Sequence, residues 1–285
     1  MFTGYGFFDY KYNIPGYNGQ DYDGFGRTLY MIIAIVLTFI LPFIFRKAKK
    51  EHVEKYLKVF SIAITAFYII KTTWESYWDI STGRGFNLGL LPLDTCSIVM
   101  WASLCAAWGK GKVKEAGEAW LVTGCIVGGL SNYFFLRGLI YYPFFTFGAM
   151  YSMIWHLMMV LTGVWMIVTN YVKLDWKLLV KGVIYHAIFS VPAIIYDYIQ
   201  KDDFMLYREA SGVPVISSLA EKLSANNLHF VTTIIMFLTY VALFAIIIYL
   251  SLGIKKLLSL IPHKQKLEAE TYTANIEDES SKKEG

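Results

Sequence analysis

The run LHFVTTIIMFLTYVALFAIIIYLSL, Leu228–Leu252, decides the fold class, because it holds no Asp, Glu, Lys or Arg. A helix rises ~1.5 Å per residue, and about 20 apolar residues cross the hydrocarbon core of a bilayer. The run is far longer than a strand and too evenly apolar for a helix with one wet face. It reads as a membrane span, closed on one side by Lys255 and Lys256.

Working outward, Thr28–Phe45, Leu88–Trp108 and Gly148–Tyr171 read the same way. Val59–Trp78 is interrupted by Lys71 and Glu75, and Ala119–Leu136 is softened by Gly124, Gly128, Gly129, Ser131 and Asn132. Leu178–Ile199 contains Pro192, which a membrane helix absorbs when its neighbours satisfy the freed carbonyl. The sequence therefore predicts an all-α, polytopic transmembrane bundle of about seven spans. Composition agrees: 17% of residues are charged and 56% apolar, against about 25% and 45–50% in soluble domains.

Basic residues then set the orientation. Arg46, Lys47, Lys49, Lys50 and Lys55 follow the first span, Lys110, Lys112 and Lys114 the third, Lys173 and Lys177 the fifth, and Lys255 and Lys256 the seventh. Every basic loop falls on the cytoplasmic side if the N-terminus lies outside. The alternate loops carry Asp79, Asp202, Asp203 and Glu209 instead. The net charge of +4 therefore orients helices, and no nucleic-acid surface is expected.

The chain divides into an outer aromatic-rich segment (1–27), a seven-span membrane domain (28–261) and a disordered cytoplasmic tail (262–285). Met1–Arg27 lacks the basic start and apolar core of a secretory signal, so the first span is expected to direct insertion. Arg137–Phe147 (RGLIYYPFFTF) reads as an interfacial connection, and Ile254–Ile261 as an amphipathic stretch along the inner headgroups. No internal repeat is evident. Gly124 and Gly128 form a G-x-x-x-G pair, a common helix-packing device.

Ionisable groups inside a membrane are costly and mark functional positions. Cys96 and His156 each fall about eight residues into an outside-to-inside span, roughly 12 Å below its outer end. A thiolate is a strong nucleophile, and an imidazole generates it at neutral pH. Taken singly, a cysteine in an apolar helix is usually a packing residue, as expected of Cys105 and Cys125, and a buried histidine usually a structural hydrogen-bonder. Equal depth is what makes the pair worth weighing, although depth alone does not say which helices touch.

Other polar groups gather in the outer half. Asp94, two residues from Cys96, suits orienting a histidine or holding a headgroup. Glu75 stands four residues after Lys71, in position for an ion pair. Asn132, His229 and Asp197 lie near outer helix ends, and His186 lies deeper. No metal-ligand spacing and no cofactor motif is present.

The segments LPLDTCS (Leu91–Ser97), YYPFFTFGAMYSMIWHLMMVLTGVWMI (Tyr141–Ile167) and YDYIQKDDFMLYREASGVPVISSLAEKL (Tyr196–Leu223), in that order, resemble YwaF-type bacterial membrane proteins, which are related to eukaryotic transmembrane protein 164. The resemblance spans roughly Val59 to Leu252. It implies a multi-pass protein of the bacterial plasma membrane and an acyltransferase acting on phospholipids through a membrane Cys and His. Matched residue by residue, those roles fall on Cys96 and His156, and the resemblance implies a thioester on Cys96. Asp94, Asn132 and Glu75 are read from their own positions as binding or orienting substrate, and Asn132 or Thr95 as the oxyanion donor such a route would need. One departure is Asp94, where the bacterial relatives often carry His. Three readings stay open: a Cys–His lipid acyltransferase or hydrolase, a transporter or small-molecule binding protein, and a non-catalytic accessory subunit.

Overall fold

Between Gly111 and Phe135 the chain forms a helix whose residues from Ala119 to Gly129 are all buried. In a computed structural model that describes residues 6–10, 24–135 and 145–281, this helix, α4, is the axis of the molecule. The others are α1 (Gly24–Ile44), α2 (Lys50–Ser81), α3 (Ile98–Trp108), α5 (Phe147–Val168), α6 (Trp176–Gln200), α7 (Ile216–Ala225) and α8 (His229–Ser281). Short 3₁₀ turns stand at Leu88–Leu90 and Phe204–Leu206, and no strand occurs among the described residues. The fold is all-α, as the sequence predicts.

Helix α4 packs against α3, α5, α6 and α8, while α1 leans on α5, and α2 on α3 and α5. The small residues that weaken its hydropathy are what let it do so. Between helices in lipid there is little hydrophobic driving force, and close packing at small residues takes its place. A Cβ on Gly129 would stand 2.8 Å from the His156 carbonyl oxygen, and one on Gly117 would stand 2.7 Å from that of Ala102. From the other side, a Cβ on Gly163 of α5 would stand 2.7 Å from the Leu121 oxygen. The G-x-x-x-G pair is divided in its work: Gly124 faces Trp120 of its own helix, whereas Gly128 faces Met159 and Thr95.

Among the described residues, three helical segments are long and apolar enough to cross a membrane by length and composition: Phe147–Val168, Trp176–Gln200 and His229–Ser259. Shorter apolar helices cover Thr28–Ile44 and Ile98–Trp108. On α6, Ile184, Ile188, Val191 and Ile195 form an exposed stripe at helical spacing. Such a stripe would be a liability in water and is ordinary against acyl chains.

One stretch differs from expectation. Leu88–Trp108 is not one helix: only Ile98–Trp108 is α-helical, and residues 91–97 are a chain of turns. Pro92 is the physical reason, since it lacks an N–H and drives the preceding residue out of the α region. The Asn87 side chain accepts from Gly89 N at 2.8 Å and secures the turn before it. At the other end, α8 continues without a break through Ile254–Ile261 to Ser281. Its Glu, Lys, Ala and Gln content favours helix. Residues 137–144 of the expected interfacial connection lie outside the described residues, as does most of segment 1–27.

Candidate functional site

The turns at 91–97 put Cys96 just ahead of α3 instead of within a helix. Ser97 N–H and Ile98 N–H both donate to the Asp94 carbonyl oxygen, at 2.9 and 3.2 Å, which folds the chain tightly around Cys96. Two aromatic residues fix this segment from outside. Tyr68 of α2 donates to Leu90 O at 2.7 Å, and Trp155 of α5 donates through Nε1 to Cys96 O at 3.1 Å. Cys96 is a free cysteine and is half-buried.

His156 follows Trp155 directly and is 9% exposed. Its Nδ1 lies 2.7 Å from the Ser152 carbonyl oxygen, one turn back on α5. A carbonyl only accepts, so the ring proton sits on Nδ1 and Nε2 keeps its lone pair. The Ser152 hydroxyl lies at 3.4 Å and adds little. The tautomer is set by the backbone and is the one a proton acceptor needs.

Cys96 and His156 line the same cavity, of about 290 Å³. Its lining combines the polar Lys71, Glu75, Asn87 and Asp94 with the larger apolar surfaces of Tyr151, Trp155 and Leu91. Lys71 is ion-paired with Glu75, as the i, i+4 spacing predicts, and its ammonium stands 5.7 Å from the Tyr151 ring centre. Tyr10 closes one side. It donates to Asp79 at 3.0 Å and stacks against Trp78, while Phe147 N–H donates to Phe7 O at 2.7 Å and ties the segment to the start of α5.

Four of the residues singled out from the sequence thus meet in one place: Cys96, His156, Asp94 and Glu75. Asn132 does not join them. It is buried in α4, away from the cavity wall, and its Oδ1 has no partner among the described residues. Thr95 turns the other way, to the Tyr240 hydroxyl at 2.9 Å. Because that hydroxyl donates onward to Met205 O at 3.2 Å, the Thr95 proton is directed to Tyr240.

The remaining candidates lie elsewhere. His186 Nε2 and the Tyr207 hydroxyl are hydrogen-bonded at 3.0 Å, within a ring of Tyr240, Phe237 and Phe244. Asp197 accepts from Phe204 N at 2.7 Å and shapes the connection after α6. His229 approaches Ser224 at 3.3 Å. Cys105 accepts from the Tyr185 hydroxyl at 3.5 Å, and Cys125 is buried packing. Among the described residues, no group of three His, Cys, Asp or Glu side chains is arranged to hold a metal.

Sequence reasoning passed over Ser97, Ser152, Trp155 and Tyr10. Adjacency to Cys96 and His156 was the available signal for Ser97 and Trp155, and helical spacing to His156 for Ser152.

The family model described as the TMEM164 family matches residues 24–246 of the chain. No curated protein and no solved structure matches it.

Proposed function

The chain belongs to the TMEM164 family and is a membrane protein, and from the cavity shared by Cys96 and His156 we propose that it is a lipid acyltransferase working through a thioester. The observation that carries this reading is the joint lining of one cavity by a free thiol and by an imidazole whose Nε2 lone pair is left available. With it goes the proposal of about seven spans, with the N-terminus outside and the C-terminus in the cytoplasm.

In the first half-reaction His156 Nε2 takes the thiol proton while Cys96 Sγ bonds to the ester carbonyl carbon of a donor phospholipid. The carbonyl π electrons move to oxygen, giving a tetrahedral oxyanion. An apolar surrounding penalises separated charges, so proton transfer and bond formation go together. Collapse breaks the carbon–oxygen ester bond, His156 returns the proton to the leaving lysolipid oxygen, and the acyl group stays on sulfur. In the second half His156 takes the proton of an acceptor hydroxyl, whose oxygen attacks the thioester and expels the Cys96 sulfur, which regains the proton. A lysolipid acceptor makes the protein a transferase, and water makes it a hydrolase.

The polar part of the cavity lining suits the headgroup of such a substrate. Lys71, Glu75 and Asp94 supply charge there, and Tyr10, Tyr68 and Tyr151 supply ring faces and hydroxyls. Labelling with a thiol-reactive acyl probe tests the proposal. Labelling of the purified protein in lipid is lost in Cys96→Ala and strongly reduced in His156→Ala. Equal, slow labelling of wild type and His156→Ala would mean an unactivated thiol and a cavity used for binding or passage.

A further inference from the structure

Attack on an ester places a full negative charge on the carbonyl oxygen, and a site that performs it needs a hydrogen-bond donor aimed there. We propose that the Ser97 hydroxyl is this donor, an assignment that rests on the acyl-transfer reading of the Cys96–His156 cavity.

Ser97 lines the same cavity as Cys96 and His156 and is only 8% exposed. It stands at the N-cap of α3, where a serine ordinarily turns its oxygen back to accept from the second or third amide of the helix. Here it does not. Its backbone is already helical, with φ −74° and ψ −22°, and its side chain makes no capping bond. The residue instead lines the cavity together with its chain neighbour Cys96 and with Tyr68. The Tyr68 proton is committed to Leu90 O, so the Ser97 proton is the one able to turn towards new charge. A donor beside the attacking sulfur is well placed to follow that charge onto the carbonyl oxygen.

Most of the alternatives are already engaged. A nucleophile at a tight turn often uses the amide of the following residue, but Ser97 N–H and Ile98 N–H both donate to Asp94 O. The Thr95 proton goes to Tyr240, and the Tyr10 proton to Asp79. The Ser152 hydroxyl sits on the Nδ1 side of His156, behind the ring. Lys71 is held by Glu75. Tyr151 is the one rival hydroxyl on the wall, with its ring stacked on Trp155 at 5.2 Å. The N-terminal end of α3 lends the Ser97 position a favourable potential for an anion.

Two reactions of the same sulfur separate this role from a merely structural one. Acylation of Cys96 by p-nitrophenyl butyrate passes through an oxyanion; alkylation by iodoacetamide does not. In the full-length protein in nanodiscs, Ser97→Ala is expected to slow acylation about 10²- to 10³-fold. Alkylation in the same variant should stay within about threefold of wild type. Ser97→Thr, which keeps a hydroxyl, restores most of the acylation, and Tyr151→Phe slows it less than Ser97→Ala does. Equal slowing of both reactions in Ser97→Ala would overturn the assignment, because the hydroxyl would then act on the thiol. Unchanged acylation in Ser97→Ala would overturn it too, as would the larger loss falling on Tyr151→Phe. If Cys96→Ala still forms an acyl-enzyme at the wild-type rate, the acyl-transfer reading itself fails and takes this assignment with it.

Discussion

Trp155 Nε1 donates to the carbonyl oxygen of Cys96 at 3.1 Å, so the residue beside the proposed base holds the backbone of the proposed nucleophile. The bond joins α5 to the turns ahead of α3, two parts of the chain that no regular helix contact would hold in register. Trp155 is itself 2% exposed and stacks on Tyr151, which makes it a rigid strut.

Trp155→Phe removes that donor and keeps a ring. Loss of one buried hydrogen bond costs about 1–1.5 kcal/mol. We expect a slightly lower unfolding midpoint, with Cys96 acylation about tenfold slower. Thermal unfolding and acylation kinetics on the same preparation check both. A variant that unfolds earlier but acylates normally would show that the strut serves stability alone.

The Ser152 carbonyl, not its hydroxyl, orients His156. Ser152→Ala keeps the 2.7 Å bond to Nδ1 and loses only the 3.4 Å approach. Its acylation rate should stay within about threefold of wild type. His156→Gln removes the base and should lower the rate about 10²- to 10⁴-fold.

Gly129 sets the distance between α4 and α5 at the site. An added Cβ meets Val160 Cγ2 at 2.4 Å and the His156 carbonyl oxygen at 2.8 Å, and the second of these is backbone that cannot step aside. Gly129→Ala should destabilise the protein by about 1–3 kcal/mol and disturb acylation with it. Gly253 has nothing within 4 Å, so Gly253→Ala should be neutral or stabilising by up to about 1 kcal/mol. Parallel melting curves distinguish the two.

On the basic side, Lys114 bonds Glu54 at 2.9 Å and links α4 to α2 ahead of the expected Val59–Trp78 span. The Lys114 hydrogen bond, with nearby lysine charge, holds the Glu54 carboxyl below its usual value of 4.5. A depressed carboxylate contributes stability above the unfolded value, and that contribution is lost as pH falls through the folded one. Both side chains are about a third exposed, at 31% and 38%, so the gain is a few tenths of a kcal/mol, about 1 at most. Glu54→Gln should melt slightly below wild type at about pH 7, and the difference should vanish by about pH 3.

How much of this was legible in the sequence follows from what each signal measures. Hydropathy and helical length located α5, α6 and α8 closely, because long apolar runs leave the backbone no other way to satisfy its hydrogen bonds in lipid. The same measure ran Leu88–Trp108 together as one helix, since a window average ignores the missing N–H of Pro92. Matched depth pointed to Cys96 and His156, and the two do share a cavity, although Cys96 reaches it from a turn and not from within a helix. Depth says nothing about facing. That is why Asn132, at the right end of α4, is not among the residues that line the cavity. Ser97 and Trp155 are marked in the sequence only by adjacency to Cys96 and His156: serine and tryptophan are common in such segments, and tertiary contacts are what separate the ones that matter.

Acyl trapping on Cys96 tests the central claim most directly. The full-length protein in phospholipid nanodiscs is quenched in acid, digested and read by mass spectrometry. The account predicts a fatty-acyl mass on the peptide containing Cys96, removed by neutral hydroxylamine and absent in His156→Gln. Phospholipid acyl transfer or hydrolysis persisting at full rate in Cys96→Ala, with no acyl mass on the wild-type peptide, would contradict it.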